Sequence, residues 1–140
     1  MINDLILRVV TKWISPTIIL FALYVQFHGD YSPGGGFQAG VIFSTAILLY
    51  ALTYGLDAAT RVIPEIALKI GASFGVLLYA GVGVASMVMG GNFLNYSVLA
   101  NNSLTGQHIG IIVIELGVGI TVASVMILLF FTFSRRVAPE

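Results

Sequence analysis

The sequence predicts an all-α, polytopic integral membrane protein with four transmembrane helices and both termini in the cytoplasm. Three observations carry that prediction. The chain is 58% hydrophobic and 9% charged with a mean hydropathy of +1.00, which leaves too little polar surface to coat a soluble globule. Its apolar residues fall into four long runs separated by glycine-rich or charged breaks, each near the ~20 residues a bilayer crossing needs. All six Lys and Arg residues lie before the first run, between the second and third, or after the fourth; the other two connections hold none. By the positive-inside rule the termini and the middle connection face the cytoplasm, in a cell membrane crossed several times by one continuous domain, residues 1–140.

Composition also removes whole classes of function. A formal net charge of zero gives no long-range field to attract nucleic acid, and Arg135-Arg136 is the only basic pair. With no cysteine and two histidines, disulfides, iron–sulfur clusters and thiolate zinc sites are excluded, and neither a metal site nor a cofactor is expected. No catalytic constellation is present, so the chain is not expected to be an enzyme.

The first span is expected at about residues 9–28. Ile2, Leu5, Ile6, Val9, Val10 and Trp13 recur at helical spacing, and Asp4, Arg8 and Lys12 fall four apart on another face, an amphipathic start with Lys12 snorkelling to the headgroups. No small-x-small cleavage pattern follows it, so the segment reads as retained, with Pro16 in its first turns. Ser32-Pro33-Gly34-Gly35-Gly36-Phe37-Gln38-Ala39-Gly40 then separates it from the second span, about 37–56. Pro33 disfavours helix at Ser32, and successive glycines permit backbone conformations barred to other residues. Without a following Gly-Lys-Ser/Thr or a preceding strand-like run, this is a tight turn and not a phosphate cradle. Gly36, Gly40 and Ser44 lie four apart, a spacing that lets a neighbouring helix approach closely in lipid.

Asp57, Arg61, Glu65 and Lys69 follow at four-residue intervals with alternating sign and read as a solvated helical linker. The third span, about 66–89, carries Gly71, Gly75, Tyr79, Gly83 and Met87 in one stripe and ends at Gly90-Gly91-Asn92. The segment up to His108 is polar without charge, and Phe93, Leu94, Tyr96, Val98 and Leu99 predict that it lies on the membrane surface or on a partner. The fourth span, about 109–133, contains Glu115, six residues and ~9 Å past Ile109, and ends at Arg135-Arg136. A carboxylate at that depth is neutral, paired or in a polar cavity, and is a functional candidate by default. The predicted topology places His28, Asp30, His108 and Glu115 in one outer half, so these four are the ion-pathway candidates. Pro33, Gly34, Gly35, Gly36, Phe37 and Gly40 are read as structural.

Pro33-Gly34-Gly35-Gly36-Phe37 between two spans of a four-span chain, with Ile63-Pro64 closing the charged connection and Glu115-Leu116-Gly117-Val118 in the last span, closely resembles the B subunit of Mrp-type multisubunit cation/proton antiporters, the MnhB family. The resemblance covers nearly the whole chain. One departure is Ala39-Gly40, where the family commonly carries Gly-Gly. The resemblance implies a small membrane subunit that contributes to assembly and to the Na⁺/H⁺ pathway, with other antiporter subunits and membrane lipid as partners, in a bacterial or archaeal inner or plasma membrane. It equally implies kinship with ion modules of energy-converting hydrogenases and related redox complexes, the alternative reading. A self-sufficient small membrane protein is a third, disfavoured because glycine stripes on spans two and three, and a buried acid, call for more neighbours than four helices supply.

Overall fold

The structure, a computed structural model, describes residues 2–29 and 34–137. Among these the chain is helical throughout: α1 (Ile2–Phe27), α2 (Gly36–Tyr54), α3 (Leu56–Val62), α4 (Glu65–Val88) and α5 (Ser103–Val137), with one 3₁₀ turn at Tyr96–Val98. Helices α1, α2, α4 and α5 are each long and apolar enough to cross a membrane.

Three helix boundaries and the packing of one connection differ from the sequence-based expectation. Helix α1 starts at Ile2, so the amphipathic start and the first span are one helix. Pro16 is therefore mid-helix, where it removes the N–H that would bond the Lys12 carbonyl. One residue on, the Thr17 hydroxyl donates to the Trp13 carbonyl at 3.0 Å. The charged linker does not form one continuous helix. Pro64 disfavours helix at Ile63, which is extended (φ −128°, ψ 97°), so Asp57 and Arg61 sit on α3 while Glu65 and Lys69 belong to α4. Glu65 instead pairs with Arg135 of α5 at 2.6 Å. The segment after α4 folds back on its own chain, with Phe93 against Gly83 and Tyr96 against Gly110. Burial, and then Tyr79, raise the Tyr96 hydroxyl above its ordinary pKa of 10.0. Finally, α5 begins six residues before Ile109, so its 35 residues run ~52 Å, well beyond the ~30 Å hydrocarbon core.

The helices form a row in the order α1, α2, α5, α4. α5 packs along α2 on one side and α4 on the other, while α1 lies along α2 and meets α5 sparingly. Glycine makes both α5 seams possible. A Cβ at Gly40 would stand 2.7 Å from the Gly119 carbonyl, and one at Gly75 would collide with the Gly117 carbonyl and Thr121. Backbones in contact are what attract helices in lipid, where burial of apolar surface offers no gain. Gly36, Gly40, Gly71 and Gly75 thus meet α5 of the same chain and Gly83 meets Phe93, while Tyr79 and Met87 of the α4 stripe stay exposed, so the stripes are filled in part within the chain. Ala39 is buried within the α2 seam, so the departure from Gly-Gly is accommodated.

Three hydroxyls inside this apolar row bond backbone: Ser44 donates to Val41 at 2.7 Å, Ser86 to Val82 at 2.9 Å and Thr121 to Gly117 at 2.8 Å, whereas the buried Ser15 Oγ of α1 has no hydrogen-bond partner among the described residues. At the end carrying the termini, buried Thr11 and half-buried Thr53 share a 2.9 Å hydrogen bond between α1 and α2. Tyr54 donates to the Arg8 carbonyl at 3.0 Å while the Arg8 guanidinium lies over its ring. Beside them Ala51, Ala59, Leu68, Ile127 and Phe131 form the most deeply buried cluster, tying α2, α3, α4 and α5 together.

Candidate functional site

The glycine-rich turn and Glu115, eighty residues apart in sequence, meet. Helix α1 ends at Phe27, so His28 and Gly29 enter the turn; Gly34 and Gly35 leave it and α2 begins at Gly36. A Cβ added at Gly29 would lie 2.7 Å from Glu115 Oε1 and 2.8 Å from its carboxyl carbon. One added at Gly35 would lie 2.8 Å from the same Oε1, and one at Gly36 would run into the Glu115 backbone. Three glycines thus touch one residue in two ways: Gly29 and Gly35 face the carboxylate, whereas Gly36 lets the α2 and α5 backbones touch. Gly35 caps α2 with no side-chain hydrogen bond, so the first-turn N–H groups of α2 are left for other acceptors beside that carboxylate.

The site is recessed. The α1–α2 hairpin ends at the level of Glu115, but α4 continues. Gly117 lies against Tyr79, from which nine further residues carry α4 to Val88, ~13 Å higher along the helix axis. Above the turn, α5 shows exposed Leu104, Ile109 and Ile112 where no α1 or α2 residue reaches. The ~9 Å depth counted from Ile109 is therefore replaced by a different geometry, a carboxylate at the foot of an apolar step.

Of the other candidates, His28 stands at the entrance to the turn, half-buried and stacked on Tyr24 with ring centroids 4.9 Å apart. His108 is two turns before Glu115 on α5, so the helix rise separates it by ~10 Å along the axis. Asp30 and Pro33 lie outside the described residues. Gly34 packs near Gln38 and Val25, Gly40 is in the α5 seam, and Phe37 is 63% exposed on this chain.

Sequence reasoning missed Gln26. Its amide oxygen reaches Gly119, one turn from Glu115, and it lines a groove of about 300 Å³ between α1, α2 and α5 with Ala22, Gly40 and Ser124. The available signal was an amide one residue before the end of an otherwise apolar run, a position where a polar side chain in lipid faces the protein interior.

Four apolar helices in a row, with a carboxylate closed in by a glycine turn at one end, define a polytopic helical membrane protein with a polar site between its helices. The family model described as "Domain related to MnhB subunit of Na+/H+ antiporter" matches residues 6–128, and the chain belongs to that family. Among its relatives, the B subunit of the Na(+)/H(+) antiporter of Bacillus subtilis (strain 168) is 40% identical over 95 residues, which is 68% of this chain and 66% of that protein. The antiporter subunit mnhB2 of Staphylococcus aureus (strain Newman) is 33% identical over 135 residues, covering 94% of this chain and 95% of the relative.

Proposed function

We propose that this chain is a small membrane subunit of a multisubunit Na⁺/H⁺ antiporter, and that Glu115 inside the glycine turn is where it touches the ion route. Membership of the MnhB family supports the first part. The single observation that carries the second is the meeting of Gly29 and Gly35 with the Glu115 carboxylate at the foot of the step. A carboxylate that carries either a proton or a cation, but not both, makes the two compete, and competition at one group is the minimal chemistry that links two gradients. In this reading both termini are cytoplasmic in a bacterial or archaeal cell membrane, the turn faces outward, and the other antiporter subunits cover the faces of the helix row. The chain serves transport and not catalysis, with His28 at the entrance to the turn and His108 on the wall above it.

Glu115→Gln tests the role, since it keeps shape and hydrogen bonding but removes the charge. In membrane vesicles containing the whole complex, the expected result is normal recovery of partner subunits with Na⁺/H⁺ exchange lowered at least about tenfold or displaced in pH by about one unit. Exchange at the wild-type rate with the wild-type pH profile would remove Glu115 from the route.

A further inference from the structure

The two kinds of glycine contact at Glu115 separate packing from positioning. Gly36 has no Cβ because α2 and α5 meet backbone to backbone there; a side chain at that position has nowhere to go. At Gly29 and Gly35 the obstacle is different. The atoms nearest a Cβ at either position belong to the far end of the Glu115 side chain, and neither needs glycine for its own backbone: Gly35 is extended, at φ −173° and ψ −163°, and Gly29 has no positive φ. At both positions the nearest obstacle to an alanine is the carboxylate of Glu115.

We infer that Gly29 and Gly35 are positioning residues for Glu115: their missing side chains hold open the space into which its carboxylate folds, and so fix where the group sits relative to the turn and the α2 end. This rests on the reading of Glu115 given above. The contacts come from both sides of the turn, Gly29 following α1 and Gly35 preceding α2, so the carboxylate is held between two chain segments. Swung out of that space, it would meet the apolar step or the groove beside Gln26 instead. Its affinity for a proton or a cation would then change because its surroundings do. Among the described residues, the titratable groups nearest in position on the elements packed round it are Tyr24 on α1 with His28 following it, His108 two turns earlier on α5 and Tyr79 on α4, while α2 carries none before Tyr50; Asp30 and Tyr31 of the turn lie outside the described residues.

The test uses the complete antiporter in membrane vesicles, with Na⁺-dependent proton movement followed across pH for Gly29→Ala, Gly35→Ala, Glu115→Asp and the doubles with Glu115→Asp. A carboxylate can swing aside at little cost, so both alanine variants are expected to assemble normally. Their exchange should be shifted by about one pH unit, or their half-saturating Na⁺ raised about tenfold. Aspartate is shorter by one methylene, about 1.5 Å, and makes room for the methyl group, so each double variant should move back toward the wild-type profile relative to its alanine parent. Should Gly35→Ala fail to assemble, recovery of assembly in Gly35→Ala/Glu115→Asp supports the inference and continued failure overturns it. Wild-type pH and Na⁺ profiles in both alanine variants, or doubles no better than their parents, also overturn it. Because Glu115→Gln is measured in the same vesicles, the two failures are distinguishable: a silent Glu115→Gln removes the role of Glu115, whereas an impaired Glu115→Gln with silent alanine variants removes only the positioning.

Discussion

At the scale of single residues, the chain distinguishes glycines that must be glycine from glycines that need not be. Gly36 and Gly75 each leave room for another helix's backbone, whereas Gly81 on the same α4 has no atom within 4 Å of the place a Cβ would take. Gly36→Ala and Gly75→Ala are therefore expected to destabilise the chain by ~1–3 kcal/mol through forced separation of backbones. Gly81→Ala should be neutral or stabilising by up to ~1 kcal/mol, because alanine forms helix more readily than glycine. Reversible unfolding of the purified chain in mixed micelles ranks them, and equal loss in all three variants would mean that the close contacts are not what holds the row. The periodicity of Gly36-Gly40 and Gly71-Gly75 was legible because packing in lipid favours small residues at helical spacing. Spacing carries no information about which helix answers, so the identity of α5 as the common partner was not.

At the scale of helices, connection chemistry decided what could be read. Apolar length placed all four spans, since lipid imposes a minimum run and satisfies no backbone polar group. Boundaries failed where a polar residue remained compatible with helix: Asn3 and Arg8 lie within α1, and Thr105 and Gln107 within α5. The Asp57–Lys69 pattern misled for the opposite reason, because Pro64 interrupts a charge spacing that looks continuous. Glu65 consequently meets Arg135 across the α4–α5 seam, but with its partner 54% exposed the pair contributes at most ~1 kcal/mol. Charge-neutralising Glu65→Gln should accordingly lower stability by no more than ~1 kcal/mol, and less in high salt. The part-buried Thr11–Thr53 hydrogen bond is expected to contribute a similar ~0.6 kcal/mol, read as the coupling energy of Thr11→Val with Thr53→Val. A coupling near zero would mean that the α1–α2 hairpin is held by packing alone.

At the scale of the whole molecule, an open row with α1 and α4 at its ends leaves apolar side chains such as Trp13, Leu52, Leu77 and Val88 exposed, fitting a chain surrounded by lipid and other subunits. Its proposed orientation is checked with single cysteines, which the cysteine-free chain makes unambiguous. In intact cells an impermeant thiol reagent should label Asn101→Cys and leave Val62→Cys untouched; the reverse pattern would invert the topology. Glu115 stood out in the sequence through its cost in lipid, and the glycine turn through its composition. Their contact was not readable, because it depends on α5 running parallel to α2 and in register with it. That contact is the central claim, and a disulfide tests it most directly. Gly35→Cys paired with Glu115→Cys, oxidised in native membranes, should crosslink within one chain as readily as a Thr11→Cys/Thr53→Cys control, since a Cβ at position 35 would lie 4.0 Å from the Glu115 Cγ, the place an introduced sulfur would take. Crosslinking of the control pair with none between positions 35 and 115 would contradict it.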